Sequence, residues 1–356
     1  MGEAKRRAAA ALVKKCRGCG APLTSVNDSA AHVFPNALGG RLKPKGIICQ
    51  TCNTALDKAA DNALVKAFGD WPTLLNFPRD EGKHPAKLVD TRDGRRVRLE
   101  ADGSMTSADV TYEVSKIGED HHVQISAGNM KTFKQLLNRA KKEFPQFDLD
   151  AAKLHAQVVG VEDGDMLKLS LDFSPQAVFG GVITAIWLYL CHTTGRTFMT
   201  WDRLMACISG MQTRAGTFRY LTAGLPGFFG PDIPIGHKIV IRSIPQTGEM
   251  IAYVEIMGIL RIGGLFASAG GPCDLIEHIY AFDLERQALR TAEFSIDRVE
   301  FEKQNWATIG LGATDFSLLQ AHFADILDVF VARYQQRFTE STSSDVVDAG
   351  NGTPSA

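Results

Sequence analysis

The chemistry in this chain begins with four cysteines. Cys16-Arg17-Gly18-Cys19 and Cys49-Gln50-Thr51-Cys52 are two Cys-x-x-Cys pairs near the N-terminus. Each pair closes a tight knuckle, and two knuckles bring four thiolates to the corners of a tetrahedron, the arrangement that structural zinc takes. Gly18 and Gly20 relax the backbone where the thiolates converge. A redox dithiol or an iron–sulfur cluster are the other uses of such pairs. No strand-to-helix thioredoxin context surrounds either pair, which weighs against the first. Cys191, Cys207 and Cys273 stand singly in apolar sequence. Three leftover thiols suit a reducing compartment better than a secreted disulfide frame, so a cytoplasmic location is expected.

Between the knuckles lies Ala31-His32-Val33-Phe34-Pro35-Asn36-Ala37-Leu38-Gly39-Gly40-Arg41-Leu42, and Asn53 follows the last cysteine directly. In this order and spacing the segment resembles the HNH endonucleases, in the branch with a four-cysteine zinc frame. That pattern runs Cys-x-x-Cys, acidic-His-x-x-Pro-x-x-x-Gly-Gly, Cys-x-x-Cys-Asn, and the resemblance covers about residues 16–61. It implies a ββα-metal fold in which His32 faces the following helix. It implies that His32 is the general base that takes a proton from water, and that a divalent ion, Mg²⁺ or Mn²⁺, holds the phosphate and the leaving 3′ oxygen. The helix starting near Asn53 would supply the opposing metal ligand or orienting group. Asn53, Asp57 and Asp61 follow at i, i+4 and i+8, roughly one helical face. The implied substrate is nucleic acid, double-stranded DNA foremost.

Two positions depart from the pattern. The residue before the histidine, usually Asp or Glu and a metal ligand, is Ala31, and the middle asparagine of the family's name is not evident in 45–48. Asp28, Asp57 and Asp61 are the carboxylates near enough in sequence to compensate. The alternative expectation is therefore a catalytically impaired, zinc-stabilised nucleic-acid-binding module.

Charge supports a polyanionic partner for the N-terminal part alone. Residues 1–100 hold 18 Lys and Arg against 10 Asp and Glu, and residues 101–356 hold 21 against 30. Arg41, Lys43 and Lys45 follow the glycines, placed either to contact phosphates flanking the cut or to stand as exposed loop charges. His121-His122, His192, His237 and His278 lack partners at ligand spacing and read as packing or surface residues. Gly263-Gly264 and Gly270-Gly271 lack the context of a phosphate cradle.

The elements that must position these residues read as α+β: a small zinc-stabilised ββα-metal module, then a larger mixed α/β domain with an antiparallel sheet. Residues 1–15 form a basic arm, 16–70 the zinc and nuclease module, and 71–150 a connector with short strands and a basic helix. Residues 151–338 form a second domain to which no activity attaches, and 339–356 a Ser/Thr/Gly/Asp-rich disordered tail. Periodicity predicts helices over 53–68, 129–144, 178–192, 201–209 and 316–338. Alternation predicts strands over 95–100, 111–117, 154–161 and 166–173, with turns at Asp102-Gly103 and 162–164. Segments 238–244, 250–260 and 275–282 suggest an antiparallel meander. The uncharged run over 173–195 is interrupted by Gly180, Gly181 and Thr184, and reads as a buried helix rather than a membrane span. No secretory signal is visible at the N-terminus.

Overall fold

The computed structural model describes residues 14–101, 104–117, 120–146, 167–210, 217–220, 235–267, 274–290, 324–329 and 331–332. The strand expected over 154–161, both predicted turns, the basic arm but for its last two residues and the C-terminal tail lie outside them. So does most of the helix expected over 316–338, whose described residues are helical. The protein is an α+β molecule whose described residues form two compact units. One comprises the chain up to Phe68, the strap Phe77–Gly82 and the chain from Leu171 onward. The other comprises Gly69–Asn76 and Lys83–Ser170.

The first unit opens with a minimal hairpin. β1 (Asp28–Ser29) pairs antiparallel with β2 (Ile48–Cys49), Asp28 opposite Cys49. The loop between them makes one 3₁₀ turn, Asn36–Leu38. Gly40 is forced there: a Cβ at this position would stand 1.9 Å from the Phe34 carbonyl oxygen. The helix after β2 starts at Gln50, three residues earlier than periodicity suggested, because Cys49 in extended conformation is its N-cap. It runs as α1 (Gln50–Leu56), a π-helical segment (Asp57–Asp61) and α2 (Asn62–Ala67). Leu56, Ala60, Leu64 and Ala67 bury one face of it.

The second unit begins with a short helix, α3 (Trp71–Leu75), opened by Pro72 in its first turn. A three-stranded antiparallel sheet follows, β3 (Lys87–Asp90), β4 (Arg96–Leu99) and β5 (Met105–Ser107). Val97 and Leu99 are buried while Arg96 and Arg98 face outward, the alternation the sequence shows. β6 (Thr111–Ile117) and β7 (Asp120–Ser126) form a hairpin. The basic helix α4 (Met130–Glu143) is capped by Asn129, whose side chain accepts from the Thr132 N–H at 2.9 Å, and it buries Leu137 and Ala140. Residues 168–173 are not a strand. Leu167 makes one isolated bridge to Thr91, and the chain then runs irregularly to Ser174.

The first unit resumes with α5 (Pro175–Thr194), buried almost all round from Gly180 to Cys191. By length and composition it is the one helix among the described residues able to cross a membrane. Its apolar surface is instead covered by protein. Gly181 lets it approach α2 so closely that a Cβ there would meet the Leu64 side chain at 2.6 Å. The Trp187 indole N–H donates to the Met199 carbonyl at 2.9 Å, just before α6 (Trp201–Ile208).

The sheet contains β8 (Thr217–Tyr220), β9 (Gly236–Ile244), β10 (Glu249–Ile256), β11 (Leu260–Ala267), β12 (Glu277–Asp283) and β13 (Ala288–Leu289). Its order is β13-β12-β9-β10-β11-β8, antiparallel throughout. Two corrections follow. Segment 250–260 is not one strand: it turns at Met257 and Gly258, both at positive φ, and the apolar neighbours of that glycine hid the turn. The strands are not a simple meander either, because β12 returns to the free edge of β9 instead of pairing with β11.

Candidate active site and zinc centre

The four cysteine sulfurs of the two knuckles all lie within 4.8 Å of one another, with Cys19 Sγ and Cys49 Sγ 3.7 Å apart. Four sulfurs each about 2.3 Å from one zinc ion are separated by about this distance. Cys16, Cys49 and Cys52 are buried and Cys19 is exposed. The Cys49 N–H donates to Cys16 Sγ at 3.3 Å. Burial opposes ionisation of Cys16, yet the backbone N–H groups of Cys49, Cys19 and Gly18 outweigh it and bring the thiol down to about 7. Cys52 goes the other way, pushed up by burial and by the neighbouring thiols. A thiol set with one member already inclined to ionise is a donor set suited to a thiophilic cation.

Beside this cluster, His32 stands between β1 and β2 and faces the helix. It shares a cavity of about 320 Å³ with Asn53, Thr54, Asp57, Asp61, Asn62 and Arg79. The π segment explains how three residues spread along the helix all reach it. An α-helix drifts about 40° over four residues, so Asn53, Asp57 and Asp61 would fan out across the surface. The wider i→i+5 turn over Asp57–Asp61 checks that drift. Burial pushes the Asp61 carboxyl up to about 7, and the like charge of Asp57 adds to it. Two carboxylates and an amide oxygen around one cavity, facing the His32 imidazole, form a donor set suited to a hard divalent cation.

The His32 imidazole is half-buried, and burial holds it below its ordinary pKa against the opposing pull of Asp80. Nε2 of His32 lies 3.4 Å from Asp80 Oδ2. Asp80 also pairs with Lys43, whose ammonium holds the carboxyl below the usual carboxylate range, and it stands 3.6 Å from Arg41. Asn36 ties the strap to the histidine loop twice: its Oδ1 accepts from the Asp80 N–H at 2.7 Å, and its Nδ2 donates to the Glu81 carbonyl at 3.3 Å.

The structure thus brings His32, Asn53, Asp57 and Asp61 to one cavity and the four cysteines to one cluster. It places Arg41 and Lys43 in internal contacts. Arg41 donates to Gln287 Oε1 at 3.0 and 2.6 Å and to the Pro78 carbonyl at 3.1 Å, and Lys43 reaches Asp80 and Glu81. Lys45 is exposed. Ala31 is fully buried, and Asp28 accepts from the Gly46 N–H at 2.8 Å, so its carboxylate orders the loop before β2. Arg79 and Asp80 are the residues that sequence reasoning missed. They lie beyond the motif in a Pro- and charge-rich stretch that resembles any solvated loop, and no spacing signal marks them.

The C-terminal sheet grips the same loop from its other side. His237 on β9 is fully buried, donates from Nε2 to the Leu38 carbonyl at 2.8 Å and stacks on Phe34 with centroids 4.6 Å apart. Residues 16–69 match the family model described as HNH endonuclease. No curated protein and no solved structure matches the chain. With its four-thiol cluster, its histidine loop and the helix behind them, the N-terminal part of this chain is a domain of the HNH endonuclease family.

Proposed function

We propose that the protein is a metal-dependent endonuclease that hydrolyses phosphodiester bonds of double-stranded DNA. The observation that carries this reading is the shared cavity: His32, Asn53, Asp57, Asp61 and Arg79 line one space next to the four-thiol cluster. The cysteines would hold a structural zinc, which would brace the hairpin. Asn53, Asp57 and Asp61 would hold a Mg²⁺ or Mn²⁺ ion, which would supply charge neutralisation for the reacting phosphodiester. His32, neutral at pH 7, takes a proton from water as the water oxygen bonds to phosphorus. The bond from phosphorus to the 3′ oxygen breaks, its electron pair leaving on that oxygen. Arg79 presents a fixed cation to the phosphate oxygens where charge accumulates. The thiolate frame suits a reducing, cytoplasmic setting.

Supercoiled plasmid and short duplexes incubated with Mg²⁺, Mn²⁺ or EDTA, beside His32→Ala, test the proposal. Metal-dependent nicking that falls about 10²–10⁴-fold in the variant is expected, the range a general base contributes. Ala31 favours a second reading, since a buried alanine stands where the pattern has a carboxylate. That reading, a zinc-stabilised nucleic-acid-binding module without cleavage, predicts salt-sensitive duplex binding and no nicking by either protein.

A further inference from the structure

We propose that Asp80 is a positioning residue for His32, supplied by the strap Phe77–Gly82 from outside the segment that matches the HNH family. Its carboxylate keeps the proton of the neutral imidazole on Nε2. Nδ1 is then left with its lone pair for the attacking water, and the carboxylate balances the positive charge that appears when His32 accepts that water's proton. The inference rests on the nuclease reading above and assigns it a residue that reading does not contain.

Three observations carry it. The first is contact: Asp80 Oδ2 is 3.4 Å from His32 Nε2, and an ionised carboxylate only accepts, so the imidazole is the donor. A donor bond at one ring nitrogen decides the tautomer and with it which nitrogen can act as base. The second is that Asp80 is itself held from several sides. Lys43 pairs with its carboxylate, Asn36 accepts from its N–H, Asn36 and Lys43 both reach Glu81, and Arg41 donates to the Pro78 carbonyl. Phe77, at the start of the strap, is buried. A carboxylate restrained in this way orients its partner, whereas one on a free loop would be averaged into solvent. The third is place: Arg79, the neighbour of Asp80, lines the cavity that His32 lines. The strap is therefore a wall of the site.

The arrangement also accounts for two cations of the motif loop. Arg41 and Lys43 carry the strap, and through it they bear on His32. The family's middle asparagine is not evident in 45–48, and Asp80 gives the histidine an orienting partner from a different part of the chain.

The experiment compares wild type, Asp80→Asn and His32→Ala with a labelled duplex, Mn²⁺ and zinc-loaded protein, and reads the His32 tautomer by NMR of ¹⁵N-histidine-labelled protein. Wild-type His32 should carry its proton on Nε2. Asp80→Asn should lower kcat about 10–100-fold, the usual cost of removing such an outer partner. KM should stay within about twofold, zinc content should not change, and the His32 signal should move toward the Nδ1–H form. A merely structural role would cost zinc or raise KM without moving that signal. If Asp80→Asn loses zinc, Lys43→Gln decides. Combined with Arg41→Gln it leaves Asp80 in place without either of the cations beside its carboxylate, and an unchanged kcat in that double variant overturns the inference. A wild-type His32 protonated on Nδ1, or wild-type kcat in a zinc-loaded Asp80→Asn, overturns the inference while the nuclease reading stands. No cleavage by the wild type overturns both.

Discussion

His237 shows how far a single buried side chain in this fold departs from its behaviour in water. Burial lowers its pKa to about 4, only partly offset by the bond to Leu38. The sign follows directly. An unfolded histidine gains its proton as pH falls through about 6.5, whereas the folded one stays neutral until about 4. Within that window the unfolded state binds more protons, so stability falls as pH falls and the loss is complete below about 4. The depressed pKa makes it worth roughly 3 kcal/mol. Asp61 titrates in the opposite sense, so the clean measurement is a difference. Denaturant unfolding of wild type and His237→Gln across pH 4–7 should diverge over this window, and parallel curves would contradict the assignment. Because His237 holds the loop that carries His32, the acid loss is expected to loosen the candidate site as well.

At the scale of elements, the sheet spends charge in its interior. On neighbouring strands Lys238 pairs with Glu255 at 2.7 Å, both nearly inaccessible, and Tyr253 donates to the same carboxylate at 2.7 Å. Arg261 approaches it from the third strand at 3.3 Å. The register demands this, since Glu255 on β10 lies opposite Lys238 on β9 and Arg261 on β11. Breaking such a group from one side leaves an uncompensated buried cation, at a cost of about 3–5 kcal/mol. Glu255→Ala should therefore lower the unfolding free energy by about that much in urea titrations at pH 7. A loss under about 1 kcal/mol would mean that solvent reaches the network. The π segment is the other element-scale device. It gathers Asp57 and Asp61 toward Asn53, and an insertion of this type within a helix often marks a functional position.

At the scale of the molecule, the HNH domain and the C-terminal sheet belong to one compact unit. Phe34 and Leu38 of the histidine loop and Leu64 of α2 are each buried to within about one percent, and their partners include His237, Tyr280 and Gly181. Each such side chain contributes about 1.5–3 kcal/mol when fully buried. Losing three is comparable to the whole stability of an ordinary domain. A fragment ending at Glu100 should consequently lack a dispersed NMR spectrum even with zinc present. A well-dispersed, zinc-bound fragment would show that the frame alone carries the fold.

The sequence by itself determined the local parts. The two Cys-x-x-Cys pairs, the order His32, Pro35, Gly39, Gly40 and Asn53, the helix that follows the last cysteine, and the all-round apolar α5 could be read because spacing and periodicity are properties of a few turns of chain. Tertiary structure alone decided the remainder. Asp80 reaches His32 across 48 residues and His237 reaches Leu38 across 199. No periodic signal spans such distances, and an aspartate in a charged strap has the same sequence signature as one in water. The return of β12 to β9 and the engagement of Arg41 and Lys43 within the protein were hidden for the same reason. Pairing partners along a sheet edge, and the counter-ion a cation finds, are chosen by which surfaces the completed fold brings together.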